Sequence, residues 1–171
     1  MLETPRWEKI TTAALAERLD VSEAALYRHF ASKAQMYEGL IEFIESTLFS
    51  FINKIQTETT EGVAQAEQTV VMLLSFAEKN PGMTRVLIGE ALVHEDERLQ
   101  TRINQLTDKL EAALRQSLRI AQAANGWHGD AQADAAVLIA YVLGRWQLFA
   151  KSGFKRMPQD GWALQRKFLF G

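Results

Sequence analysis

Cysteine is missing from all 171 residues, which excludes disulfide staples and thiolate chemistry and permits a reducing compartment. Proline is scarce, at three residues, so long stretches are free to be helical. A strong charge of one sign is also lacking: 19 Lys and Arg against 21 Asp and Glu leave a net charge of −2, so any attraction to nucleic acid must be local. No long hydrophobic run occurs. The longest, Ala135 to Gly144, is ten residues, too short to cross a bilayer, and no signal peptide opens the chain, so a soluble cytoplasmic protein without a membrane role is expected. Catalytic constellations are missing as well. His29, His94 and His128 are far apart, and neither a Ser-His-Asp order nor a Gly-rich phosphate loop occurs. Glu90 and His94 share a helical spacing near Asp96 and Glu97, but charges at a helix start are more often solvated caps than metal ligands. A non-enzyme with no cofactor and no metal is expected.

What the chain does have is helix. No segment alternates as a strand would, no internal repeat appears, and 47% hydrophobic content is ample for a core. Thr12 to Leu19 predicts a short helix rich in alanine, with Leu15 and Leu19 four apart on one face. Asp20-Val21 makes a two-residue break. Ser22 then caps a second short helix with Glu23 at its positive end, followed by Ala24, Ala25, Tyr27, Arg28 and His29. Ser32 caps again, and a much longer helix starts at Lys33. Two short helices, a tight turn and a donor-rich second member describe a helix-turn-helix, whose second helix is slim enough for a major groove.

The long helix, Lys33 to about Gln56, carries Met36, Leu40, Ile44, Leu48, Phe51 and Ile55 at three- and four-residue steps, which predicts the buried stripe. At 100° per residue Phe43 falls on its flank and Phe49 nearly opposite its centre. After the polar loop Thr57 to Gly62, a helix from Val63 to about Lys79 points Ala66, Val70, Leu73, Leu74 and Ala77 inward and Met72, Ser75 and Lys79 outward. Asn80-Pro81-Gly82 starts a short helix through Ala91. A long one follows to about Ala124, with Leu99, Ile103, Leu106, Leu110, Leu114 and Leu118 inward. Helices over Ala131 to Ser152 and Trp162 to Phe170 complete an all-α fold: residues 1–38 as the helix-turn-helix module, 39–171 as a helical bundle.

The run VSEAALYRHFASKAQMYEGLI resembles the recognition helix and linker helix of the TetR family. Within that family, SEAALYRHF with the following SK and LIEFIE, together with AEKNPGMTRVL and RLQTRINQL downstream, is similar to the SlmA-type nucleoid occlusion proteins, which couple chromosome position to cell division. Against that pattern the start is short. TetR-like modules carry a further helix before the helix-turn-helix, usually after basic residues, and only Met1-Leu2-Glu3 could be its remnant here. The expectation is a chain that begins inside or after that helix, through a late start or truncation, with Leu15, Leu19, Leu26 and Phe30 short of apolar cover. Residues 1–38 carry five Lys and Arg against six Asp and Glu, which fits the loss of a basic leader.

The resemblance implies double-stranded DNA as one partner. Thr11 and Thr12 could give hydroxyl and backbone N–H to a phosphate, though ordinary capping explains them equally. Ser22 opens the reading helix. Ala24 and Ala25 leave room for close approach, and a methyl can meet a thymine methyl. Tyr27 and His29 stand where family members meet backbone phosphate, Arg28 is a candidate for base or phosphate, and Lys33 adds a charge at a helix N-terminus.

A homodimer is implied too. The apolar helix around Ala135 to Leu143 needs cover on both sides, which a second copy supplies through Val137, Ala140, Tyr141, Gly144 and Leu148, joined by Trp162 and Phe168 from the last helix. Phe43, Met72, Ser75 and Lys79, left out of the core, outline a groove with a cationic end that suits a peptide bearing acidic and apolar residues. Exposed Met and Phe are common singly. It is the resemblance that assigns this groove, with Asn80, to the C-terminal tail of the tubulin-like division protein FtsZ. Phe49 and Phe51 stand where a basic residue is expected, a departure from the family pattern. The implied function is a DNA-binding factor that antagonises FtsZ assembly over the nucleoid. The alternatives are a ligand-responsive TetR-type repressor, against which the mostly apolar inward positions argue, and a helical interaction module that no longer binds DNA.

Overall fold

The computed structural model describes residues 30–171 and, ahead of them, Ala16, Ser22, Ala24, Ala25 and Arg28. Six α-helices have defined bounds: α1 (Lys33–Glu58), α2 (Gly62–Lys79), α3 (Pro81–Leu87), α4 (Glu97–Ala123), α5 (Ala131–Lys151) and α6 (Trp162–Phe170), with a 3-10 turn at Glu90–Leu92. No strand occurs among the described residues, so the all-α expectation holds there. The expected first short helix and most of the second lie outside the described residues, although Ala16, Ala24, Ala25 and Arg28 are helical.

Local chemistry sets each helix start. Ser32 caps α1, its hydroxyl accepting from Gln35 N at 3.1 Å, while Gln35 Oε1 reaches back to accept from Ala31 N at 2.5 Å. Two otherwise orphaned donors are satisfied by that exchange. Asp96 caps α4 through Arg98 N, and Asp130 caps α5 through Gln132 N and Ala133 N. Pro81 stands in the first turn of α3, where a missing N–H costs nothing. The expected helix from Pro81 to Ala91 is broken in two: Gly89 adopts φ 75°, a left-handed conformation that ends α3 before the 3-10 turn.

α4 is the central rod, packed against α1, α2 and α5. Its six expected inward residues, Leu99 to Leu118, are all buried, as are Ala66, Val70, Leu73, Leu74 and Ala77 of α2. Each such leucine contributes roughly 2 kcal/mol through water-excluded area. Trp146 of α5 is buried, and its Nε1 donates to Leu73 O at 3.1 Å, pinning α5 to α2 with a bond made in the dry interior.

α1 requires a correction. Its buried stripe is Tyr37, Ile41, Ile44, Leu48 and Ile52, not Met36, Leu40, Ile44, Leu48, Phe51 and Ile55. Both patterns contain Ile44 and Leu48, and they differ by a rotation of about 60° around the helix axis. The rotation accounts for the aromatics. Phe49, expected nearly opposite the stripe, turns inward and packs on the core, whereas Phe43 and Phe51 turn outward, 55% and 45% exposed. The cover given by α2 and α4 on one side of α1 selects between the two stripes.

α5 spans 21 residues and, by length and composition alone, would pass as a membrane-crossing helix, which the ten-residue apolar run did not suggest. Its buried Ala135, Leu138, Val142 and Trp146 pack into the bundle core, and Asp134 and Arg145 interrupt its length. It is half core helix, half exposed apolar face.

Candidate functional site

Three surfaces of the described chain carry the candidate residues. The first is the trough between α1 and α2, helices that pack side by side because a three-residue link joins them. Phe43, Met72, Ser75, Lys79 and Asn80 line one groove of about 330 Å³, together with Thr47, Phe51 and Phe76. The four residues drawn from helical spacing and Asn80, drawn from the resemblance, therefore meet in one place. Phe76 is buried and forms floor. The Thr47 hydroxyl is turned back to donate to Phe43 O at 2.7 Å, which leaves its methyl for the groove. At the polar end Asn80 Nδ2 donates to Phe76 O at 2.8 Å, fixing the side chain that ends α2 beside the exposed Lys79. The trough runs on past Phe51, Met72 and Ser75 into a wider space of about 610 Å³ bordered by Lys54, Ile55, Glu58, Glu67 and Gln68. Phe51 was placed in the buried stripe by spacing and Phe76 was given no role, so neither was expected to line this groove.

The second surface is the outer face of α5 with α6. Val137, Ala140, Gly144 and Leu148 form an exposed line along α5 at steps of three and four residues. A methyl added at Gly144 would meet nothing within 4 Å among the described residues, so that face is open there. Phe168 is 91% exposed and Leu164 is exposed beside it, one turn earlier on α6. Tyr141 and Trp162 are half-buried and bind α6 to α5: their rings are 6.1 Å apart, and the Tyr141 hydroxyl donates to Gln165 Oε1 at 2.6 Å. Burial, opposed by Arg145, raises the Tyr141 pKa.

The third surface is the helix-turn-helix side. Thr11, Thr12, Tyr27 and His29 lie outside the described residues. Ser22 Oγ accepts from Ala25 N at 3.1 Å, the expected cap, and Ala24 and Arg28 are helical and exposed. Lys33 starts α1 as expected, but its ammonium is turned to the carboxylate of Glu95, and the two side chains are only 18% and 13% exposed. Elsewhere Glu90 pairs with the buried Arg85 at 3.7 Å, His94 is exposed, and among the described residues no group of three metal-binding side chains converges.

Two family models match this chain: the tetR family of bacterial regulatory proteins over residues 7–40, and the SlmA-like form of the tetracyclin repressor-like C-terminal domain over residues 60–171. The nucleoid occlusion factor SlmA of Alteromonas mediterranea is 49% identical over 162 residues, covering 94% of this chain and 83% of that protein. That of Shewanella pealeana is 47% identical over 171 residues, covering 99% and 87%. The chain belongs to the SlmA family of nucleoid occlusion factors. A third SlmA, from Vibrio cholerae, is 48% identical over 162 residues, 91% of this chain and 83% of its own length. SlmA membership also favours nucleoid occlusion over the small-molecule-responsive repressor considered from the sequence. The cleft among α3, α4 and α5, lined by Gln100, Asn104, Thr107, Asp108 and Gln147 above Leu87 and Leu143, has part of its polar rim already engaged: Gln100 Nε2 donates to Asn104 Oδ1 at 3.0 Å.

Proposed function

We propose that this SlmA-family chain binds double-stranded DNA as a homodimer and, seated on the chromosome, antagonises FtsZ assembly by receiving the FtsZ C-terminal tail in the α1–α2 groove. The observation that carries the proposal is that Phe43, Met72, Ser75, Lys79 and Asn80 border one apolar groove with a cationic end. Such a groove suits a short amphipathic segment whose acidic residue meets Lys79 while its apolar residues cover Phe43 and Met72. The TetR-type N-terminal match supports a DNA-reading role for Ser22, Ala24, Ala25 and Arg28, with Thr11, Thr12, Tyr27, His29 and Lys33 toward the phosphates. The open face of Val137, Ala140, Gly144, Leu148 and Phe168 supports the dimer, which sets two reading helices about 34 Å apart on a pseudo-palindrome. This role calls for no catalysis, cofactor, metal or small ligand, and it places the protein in the cytoplasm on the nucleoid.

Pelleting of GTP-assembled FtsZ tests the proposal. The wild-type chain with chromosomal DNA fragments should reduce the pelleted fraction, and Met72→Glu should lose that effect while still shifting the DNA in a gel. Equal inhibition by Met72→Glu would remove the groove from the mechanism. Tyr27→Ala with Lys33→Ala should abolish site-specific DNA binding and leave the dimer mass unchanged; undiminished binding would remove those two contacts.

A further inference from the structure

Lys33 stands at the first position of α1, yet its charge is already spent inside the protein. Its ammonium is ion-paired with Glu95, a residue 62 positions away in the segment between the 3-10 turn and α4. The same ammonium lies 5.8 Å from the centroid of the Tyr37 ring. Tyr37 is buried, and its hydroxyl has no hydrogen-bond partner among the described residues. One turn along α1, Glu38 pairs with Arg98 at 3.1 Å, and Arg98 also meets Asp96 at 3.2 Å. Two cross-ties therefore join the start of α1, which leads out of the helix-turn-helix, to residues 95–98 at the head of α4. The Glu38–Arg98 tie is largely solvated and worth little. The Lys33–Glu95 tie is mostly withdrawn from water, where a pair is felt more strongly and a lone charge is costly.

We infer that Glu95 sets DNA affinity by acting through Lys33: it holds the ammonium that a phosphate at the head of α1 would otherwise take. This rests on the proposal that Lys33 contacts a DNA phosphate. Glu95 is thus a positioning residue. In the free protein the ammonium is kept on the body; on DNA it exchanges one oxyanion for another, and the flexible four-carbon stem allows the change without moving the helix. The exchange leaves Glu95 without its cation. Each DNA contact made by Lys33 is therefore weakened by the pair that must first be broken.

Anisotropy of a fluorescent mixed-sequence duplex at low salt tests the inference, since a phosphate contact carries no sequence information. Glu95→Gln frees Lys33 and should tighten binding roughly five- to tenfold for each protomer, the scale of one charge-assisted contact. In a Lys33→Ala background the same change should do nothing, which separates action through Lys33 from mere removal of a negative charge. Lys33→Ala alone should flatten the dependence of log K on log salt by about 0.9 for each protomer, about 1.8 for the dimer. Unchanged or weaker binding by Glu95→Gln, with the circular dichroism of the wild type, overturns the inference. So does an equal gain in the Lys33→Ala background. A Lys33→Ala variant with wild-type affinity and salt slope would instead overturn the phosphate contact on which the inference rests. No measurable binding by the wild type at low salt would contradict the DNA-binding role itself.

Discussion

Gly62 is among the tightest points in the packing. A methyl added there would stand 2.3 Å from Ser117 O and 2.4 Å from Ala121 N, both backbone atoms of α4 that cannot yield as a side-chain tip would. Gly62→Ala is expected to lower stability by about 3 kcal/mol, because overpacking against backbone forces α2 off α4; a urea midpoint close to that of the wild type would show that α2 shifts freely. Tyr37 is the other residue with a measurable signature. Burial, with the Glu95 carboxylate as the lesser cause, pushes its phenol from 10.0 up to about 12. Since the folded-state value exceeds the unfolded one, the neutral phenol's contribution is intact below pH 10 and is lost as pH climbs through about 12. Melting temperatures followed across that window should fall less steeply for Tyr37→Phe than for the wild type. Parallel curves would place the alkaline loss elsewhere. Because the Tyr37 hydroxyl is buried and unpaired among the described residues, the same variant should melt no lower than the wild type at neutral pH.

At the scale of elements, regular spacing carried most of the information. α4 keeps leucine or isoleucine at 99, 103, 106, 110, 114 and 118, and that single stripe fixed which side faces the core. α1 was harder to read because it is apolar over more than half its circumference: around the shared Ile44 and Leu48, Tyr37, Ile41 and Ile52 compete with Met36, Leu40, Phe51 and Ile55, and only the position of α2 and α4 decides between them. The groove survived the error, since Phe43, Met72, Ser75 and Lys79 lie outside either stripe, whereas Phe51 and Phe76 became visible as lining only once the helices were placed. The break at Gly89 had a weaker signal, one glycine in a run that otherwise suits helix. Truncation separates core from groove directly. Leu74→Ala, fully buried, should cost about 2–5 kcal/mol in chemical unfolding. Phe43→Ala, mostly exposed, should cost well under 1 kcal/mol, in line with other surface changes. Comparable losses at the two positions would mean that Phe43 is packed rather than free to meet a partner.

As a whole molecule the chain keeps its two proposed protein contacts apart: the trough lies between α1 and α2, and the exposed line of Val137, Ala140, Gly144 and Leu148 with Phe168 lies on α5 and α6. Partner binding and dimerisation should therefore be separable by mutation. Val137→Glu is expected to halve the mass found by light scattering, from twice the 19.3 kDa chain to one chain, without changing the helical content. An unaltered dimer would move the interface off α5. The groove itself is tested most directly by the anisotropy of a labelled FtsZ C-terminal tail peptide. The wild-type chain should raise it saturably and Val137→Glu should still do so, while Met72→Glu and Lys79→Glu should leave the peptide tumbling freely. Full binding by both Met72→Glu and Lys79→Glu would contradict the assignment of the α1–α2 trough as the partner site.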